Sequence, residues 1–333
     1  MDLIFCDDFE DYELKERMSH TAQVMREFLP SDFLKATQTI KKIIQYLINA
    51  GVKEESIEFM FIPEYIEMQG IEDYELSIDA FEFITQFTSC EFAVRPFIIK
   101  YKKKMLKQML CWSKHEHHMV RRLASEGTRP RLPWSISLPS LKENPEPLRN
   151  ILKNLKNDEY EIVRRSVANS LNDISKDNPE FVITLAKQWL GENKAVDSLV
   201  KHGCRTLLKQ ANTEILRLFG FESKHFELTN FYVVKNVAIN NELSFSFLIT
   251  NKSKKSQILR LEYGLYYKRK NAELSKKVFK ISEREFLATE TRHIERKQSF
   301  KLITTRKFYC GMHKLSIIIN GKESELAEFE LIA

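Results

Sequence analysis

The stretch "VRRLASEGTRPRLPW" (Val120–Trp134) decides how the chain is read, because its first seven residues come back. "VRRSVAN" begins at Val163 and "VKHGCRT" at Val200, 43 and then 37 residues further on. A weaker relative, "VRPFIIK", begins at Val94. A period near 40 in sequence with helical apolar spacing marks an α-α solenoid of HEAT type. Each helix pair of such a solenoid buries its apolar face only by stacking on its neighbours. The helical spacing extends upstream to "FLKATQTIKKIIQYLINAG" (Phe33–Gly51).

The pattern changes near residue 226. "ELSFSFLIT" (Glu242–Thr250) alternates, with Leu243, Phe245, Phe247 and Ile249 on one face, which is strand periodicity. Similar runs follow at "ILRLEYGLYYK" (Ile258–Lys268), "SFKLITT" (Ser299–Thr305) and "KLSIII" (Lys314–Ile319), and Asn320-Gly321 suits a type I′ hairpin turn. About seven short strands in roughly 100 residues match an immunoglobulin-like sandwich. The chain is therefore read as a multi-domain protein, α then β: a HEAT-like α-α solenoid over 1–226 and a small immunoglobulin-like β-sandwich over 227–333.

Composition narrows the class. The 333 residues are 43% hydrophobic, with 23 Phe and 11 Tyr, enough to build sizeable cores. No long apolar run is present and the acidic start lacks a basic region before an apolar one, so a cytoplasmic protein without a membrane span is expected. The five cysteines, Cys6, Cys90, Cys111, Cys204 and Cys310, are scattered; they read as reduced thiols, with no metal site. The net charge of +6 is unevenly spread. Residues 1–90 hold seven Lys/Arg against nineteen Asp/Glu, whereas residues 91–226 hold 25 against 15 and residues 227–333 hold 20 against 12. The basic middle and C-terminal parts suit an anionic partner such as nucleic acid.

Aligning the repeats sharpens this. Position three is Arg122, Arg165 and His202; position seven is Glu126, Asn169 and Thr206. Within a repeat these are i and i+4 and share a helix face, and Asp173 continues the second repeat's stripe. A stacked solenoid would align them as a cationic column beside a Glu, Asn and Thr column on its concave face, or they form ordinary outer surface. Glu126 stands apart. Gly127 reads as the residue that ends its helix, and Pro130 and Pro133 stop the helix from resuming. A carboxylate in a last helical turn faces the negative end of the dipole. Either it pairs with Arg122, four residues before it, or it serves chemistry among Arg121, Arg122, Arg129 and Arg131.

"SCEFAVRPF" (Ser89–Phe97), "VRRLASEGTRPRLPW" and "VRRSVANSLNDISKDNPE" (Val163–Glu180) resemble the AlkC family of DNA alkylation-repair glycosylases, HEAT-like relatives of the AlkD enzymes. The resemblance spans roughly residues 80–215, and the sandwich resembles the immunoglobulin-like appendage of one branch. It implies a monofunctional DNA glycosylase that removes cationic bases, 3-methyladenine and 3-methylcytosine, from double-stranded DNA. No metal or cofactor is implied, and a monomer suffices. Glu126 would carry the catalytic role, with Asp173 as a second carboxylate and Asn169 holding water or Glu126. Arg95, Arg121, Arg122, Arg129, Arg131, Arg164, Arg165, His202 and Arg205 would contact DNA, and Trp134 would pack on a sugar or a cationic base. Glu91 is expected to cap or to pair with Arg95. Trp112 and Trp189 are expected in the core. The competing reading is a non-catalytic HEAT-repeat scaffold that binds DNA or protein.

Overall fold

The computed structural model describes residues 3–6, 8–53, 57–302 and 307–333. They form two compact units, Met1–Arg205 and Thr206–Ala333. In the first unit, α1 (Leu14–Phe28), α2 (Phe33–Asn49), α3 (Phe61–Gly70) and α4 (Tyr74–Ile84) precede the repeats. Then follow α5 (Val94–Tyr101), α6 (Lys103–Trp112), α7 (His118–Glu126), α8 (Pro139–Glu143), α9 (Arg149–Leu155), α10 (Glu161–Ile174), α11 (Pro179–Trp189) and α12 (Lys194–Gly203).

The first two repeats fall on α7 and α10, and the third begins on α12. Apolar residues at helical spacing draw these helices together: α10 buries Val163, Val167, Leu171 and Ile174 and packs against α7 on one side and α12 on the other. Small side chains let α7 and α10 approach, and the Ser125 and Ser166 hydroxyls meet at 2.6 Å. Helices α9 and α11 form the second layer. Trp112 and Trp189 are buried in this core, as expected.

Gly127 ends α7 in a different way from the sequence reading. Its backbone is right-handed, φ −62° and ψ −28°, so no left-handed conformation is needed. Glycine is required there because a Cβ would lie 2.7 Å from Val94 Cγ2 and 3.0 Å from the Leu123 carbonyl. The third repeat also departs from the alignment. Helix α12 ends at Gly203, so Thr206 falls beyond the helix that carries His202 and belongs to the second unit.

The second unit contains α14 (Thr213–Leu218), preceded by α13 (Arg205–Lys209), and then nine strands among the described residues. These are β1 (Phe226–Val233), β2 (Asn236–Ala238), β3 (Glu242–Asn251), β4 (Gln257–Lys268), β5 (Leu274–Phe286), β6 (Thr291–Ser299), β7 (Gly311–Ile319), β8 (Lys322–Glu323) and β9 (Ala327–Ile332). One sheet has the order β1-β3-β6; the other runs β2-β9-β7-β4-β5, with β8 paired to β7. Leu243, Phe245, Phe247 and Ile249 all face the core shared with Leu259, Leu261, Leu265 and Phe329. Asn320 and Gly321 take φ 46° and 81° at the β7–β8 turn, the positive pair that a type I′ turn needs. "SFKLITT" is not a full strand: β6 ends at Ser299, Phe300 is a buried core residue outside any strand, and 303–306 lie outside the described residues.

The contact boundary precedes the expected break at 226/227, and the reason is local. A Cβ on Gly321 would lie 2.3 Å from Leu216 of α14, and Asn320 donates through Nδ2 to the Glu222 carbonyl at 2.8 Å. The segment before β1 thus packs on the β7–β8 turn.

Candidate active site

Glu126 is the last residue of α7 and is 5% exposed. Its Oε1 accepts from Arg129 Nη1 at 2.5 Å, and Arg129 Nε donates to Asp173 Oδ2 at 2.8 Å. Asp173, 2% exposed near the end of α10, also receives Lys176 Nζ at 3.2 Å. One guanidinium therefore bridges two buried carboxylates from neighbouring repeats. Burial alone would pull Arg129 down. The attraction of Glu126 and Asp173, with their hydrogen bonds, outweighs it and raises Arg129 above its ordinary value. The same cation offsets the dipole that disfavours a carboxylate at the end of α7.

Several expected roles change. Glu126 does not pair with Arg122, which turns to Glu91 (2.8 Å) and Ser89 Oγ (3.1 Å). Glu91 accordingly pairs with Arg122 and not Arg95. Arg129 is 7% exposed and held on both sides, so it is no free phosphate ligand. Arg95 is 0% exposed. It donates to the carbonyls of Ile136 (2.6 Å), Gly127 (3.0 Å) and Arg129 (2.8 Å), so a direct phosphate contact is ruled out by burial.

Arg121 and Arg164 are corrected by the repeat itself. Arg121 donates through Nη1 to the carbonyls of His115 and Glu116, and Arg164 through Nη1 to those of Asp158 and Glu159. Each thus brackets the turn before its own helix. Arg121 further pairs with the buried Asp158 carboxylate at 2.6 Å. Both assigned DNA contacts are structural bonds, because position two of the heptad points back along the helix toward its N-terminal turn.

Position three keeps the solvent in the second and third repeats, at Arg165 and His202. Arg165 is exposed, with Glu161 beside it at 2.7 Å. Between α10 and α12, Arg164, Arg165, Asn169, His202 and Arg205 line a cleft of about 710 Å³ in which Glu161 is the one acid among the described residues. Arg205 donates through Nη2 to Asn169 Oδ1 at 3.2 Å, and His202 Nε2 lies 3.4 Å from the same oxygen. Asn169 is therefore engaged with Arg205 and not with Glu126, one of the two roles expected of it. Burial, then Arg205 and Arg165, hold His202 below its ordinary value. Burial also lowers Arg205, with Asp173 opposing this and Arg129 reinforcing it, so Asp173 and Arg129 act on a residue of the cleft.

The Arg-Pro segment projects one aromatic. Trp134 is 72% exposed with φ 60°, a left-handed backbone that costs a bulky residue about 1–3 kcal/mol. The conformation is held from both ends. Leu132 is buried, Leu138 N donates to the Pro130 carbonyl at 3.2 Å, and Arg95 grips Ile136. Arg131 is half-exposed in a bidentate pair with Asp177, 2.9 and 2.6 Å.

The chain as a whole resembles known proteins. A family model described as "DNA alkylation repair enzyme" matches residues 16–195, and one described as "Uncharacterised protein YhaZ, C-terminal Ig-like domain" matches residues 227–333. The chain is 39% identical over 335 residues to uncharacterized protein YhaZ of Bacillus subtilis (strain 168), covering 99% of this chain and 91% of that protein. The solved structure of Pseudomonas fluorescens alkylpurine DNA glycosylase AlkC, bound to DNA containing an abasic site analog, superposes with a TM-score of 0.91 at 33% identity. The match covers 98% of this chain and 89% of that one. The chain thus belongs to the DNA alkylation repair enzyme family, in an AlkC-like branch that carries a C-terminal immunoglobulin-like domain.

Proposed function

We propose that the protein is a monofunctional DNA glycosylase that hydrolyses the N-glycosidic bond of cationic alkylated bases, 3-methyladenine and 3-methylcytosine, in double-stranded DNA. The observation that carries this reading is the Glu126–Arg129–Asp173 bridge, whose Asp173 and Arg129 act on Arg205 of a basic cleft open to solvent. An alkylated base that already bears positive charge leaves with the electron pair of its bond to C1′ and becomes neutral. The sugar left behind has oxocarbenium character, so positive charge moves to C1′ and needs an anion fixed beforehand. Glu126 supplies it. Among the described residues its Oε1 is engaged by Arg129, and the second oxygen serves the water that adds to C1′ and gives up its proton.

Arg129 and Asp173 hold that carboxylate in place. Arg165 and Arg205, with His202 beside them, take backbone phosphates, which position the duplex without reading its sequence. Trp134, projecting on a strained backbone, stacks on the sugar or the cationic base. The DNA repair relatives at this level of likeness support the same reading. The test is release of free base from duplexes carrying 3-methyladenine or 3-methylcytosine, against undamaged duplex. Release from the alkylated duplexes alone is the expected result. Binding without release would leave the non-catalytic DNA-binding scaffold.

A further inference from the structure

Arg95 joins two features that the reaction needs together. The first is geometric. Its guanidinium donates to the carbonyls of Gly127, Arg129 and Ile136, which are both ends and an interior point of the segment that presents Arg129 and Trp134. Beside it on α5, Val94 packs against the start of the same segment, since a Cβ on Gly127 would lie 2.7 Å from Val94 Cγ2.

The second is electrostatic. The groups that face Arg95 are Arg129, Asp173, Glu126 and Glu91, and Glu91 is already matched by Arg122. Of the remaining buried charges, Glu126 and Asp173 carry two negatives and Arg129 one positive; Arg95 brings the count to balance. Lys176, Arg131 and Arg205 also face Asp173, from more exposed positions. Burial pulls the Arg95 guanidinium down to about 10, with Arg129 adding to this and the three carboxylates opposing it, so it is cationic at neutral pH. Its Nη2 is buried without a hydrogen-bond partner among the described residues. Keeping so buried a cation is costly unless its charge is used.

We propose that Arg95 is a positioning residue of the glycosylase: without touching DNA, it clamps the 127–136 segment so that Arg129 spans Glu126 and Asp173, and it balances the second of those carboxylates. This rests on the glycosylase reading above. Substitution separates the two contributions. Arg95→Lys keeps the charge, but one ammonium cannot span three carbonyls held in a fork. Arg95→Met keeps the bulk and loses both.

The experiment measures single-turnover release of 3-methyladenine from duplex DNA, affinity for an uncleavable abasic-site duplex, and the pH–rate profile, for wild type and both variants. Thermal unfolding checks that each variant is folded. Arg95→Lys should slow release by about tenfold or more, keep affinity within about threefold, and leave the acid limb of the profile in place. Arg95→Met should slow release further and move that limb to higher pH, since one buried cation fewer opposes protonation. If Arg95→Met does not fold, Arg95→Lys alone carries the test through its split between rate and affinity. An affinity that falls as far as the rate would make Arg95 a DNA ligand and overturn the proposal. So would variants with wild-type rate and profile. A wild type that releases no base would instead sink the glycosylase reading, and this inference with it.

Discussion

Arg121 and Arg164 stand 43 residues apart in the chain and make the same pair of bonds, each through Nη1 to the two carbonyls six and five residues before it. The repeat is therefore conserved in its bonding as well as its spelling, and the two arginines hold the turns that launch α7 and α10. Their charge is spent inside the fold. Arg121→Met and Arg164→Met should each cost about 1–2 kcal/mol of stability, seen as a lower midpoint in urea unfolding. The salt dependence of DNA binding should stay at its wild-type slope. A flatter slope in either variant would return that arginine to the DNA interface.

The cleft arginines should behave in the opposite way. Arg165 and Arg205 line the open space between α10 and α12, and Arg165 is exposed. Neutralising each phosphate contact lowers the slope of log K against log salt by about 0.9. Arg165→Gln and Arg205→Gln should each flatten the slope by about that amount while leaving unfolding midpoints nearly unchanged. His202 should add to affinity only in acid, because its burial, and then Arg205 and Arg165, hold it below its ordinary value.

The repeat and the strand alternation were readable because both are periodic, and periodicity survives without knowledge of the fold. Glu126 drew attention for a different reason: a carboxylate in a last helical turn contradicts its local electrostatics, and its catalytic role was read from the family resemblance. Its partner was not readable. Spacing offers Arg122 and Arg129 equally, at i−4 and i+3, and the choice is made by Glu91, which takes Arg122 from another part of the chain. Arg95 was misread because an arginine in a basic segment looks alike whether it faces phosphate or three carbonyls. Only the path of the 127–136 segment over α5 decides it. The segment before β1 was assigned to the helical part because strand alternation begins only after it, and its packing on the β7–β8 turn depends on contacts some hundred residues away in sequence.

The second unit should weaken in acid through His313. This imidazole is fully buried, stacked on Phe329 at 5.4 Å and edge-on to Phe300. Its Nδ1 lies 2.9 Å from the Gly311 carbonyl. Burial lowers its affinity for a proton below the ordinary 6.5; the Gly311 carbonyl opposes this and Lys268 adds to it. The unfolded chain therefore takes up the proton first as pH falls. Stability is fully present above about 6.5 and is lost progressively below it. Thermal unfolding at pH 7.5 and 5.5 should show a lower midpoint for the strand-rich unit in acid, and His313→Gln should shrink the difference. An unchanged difference would place the acid sensitivity elsewhere.

The most direct test of the account is single-turnover release of 3-methyladenine by wild type and Glu126→Gln at equal concentration, with binding to an uncleavable abasic-site duplex measured alongside. Glutamine keeps an oxygen for Arg129 Nη1, so the bridge to Asp173 and the fold should persist. The account predicts that release falls at least about a hundredfold while binding stays within about threefold of wild type. Release that survives the substitution at near wild-type rate would contradict it and take the chemistry away from Glu126.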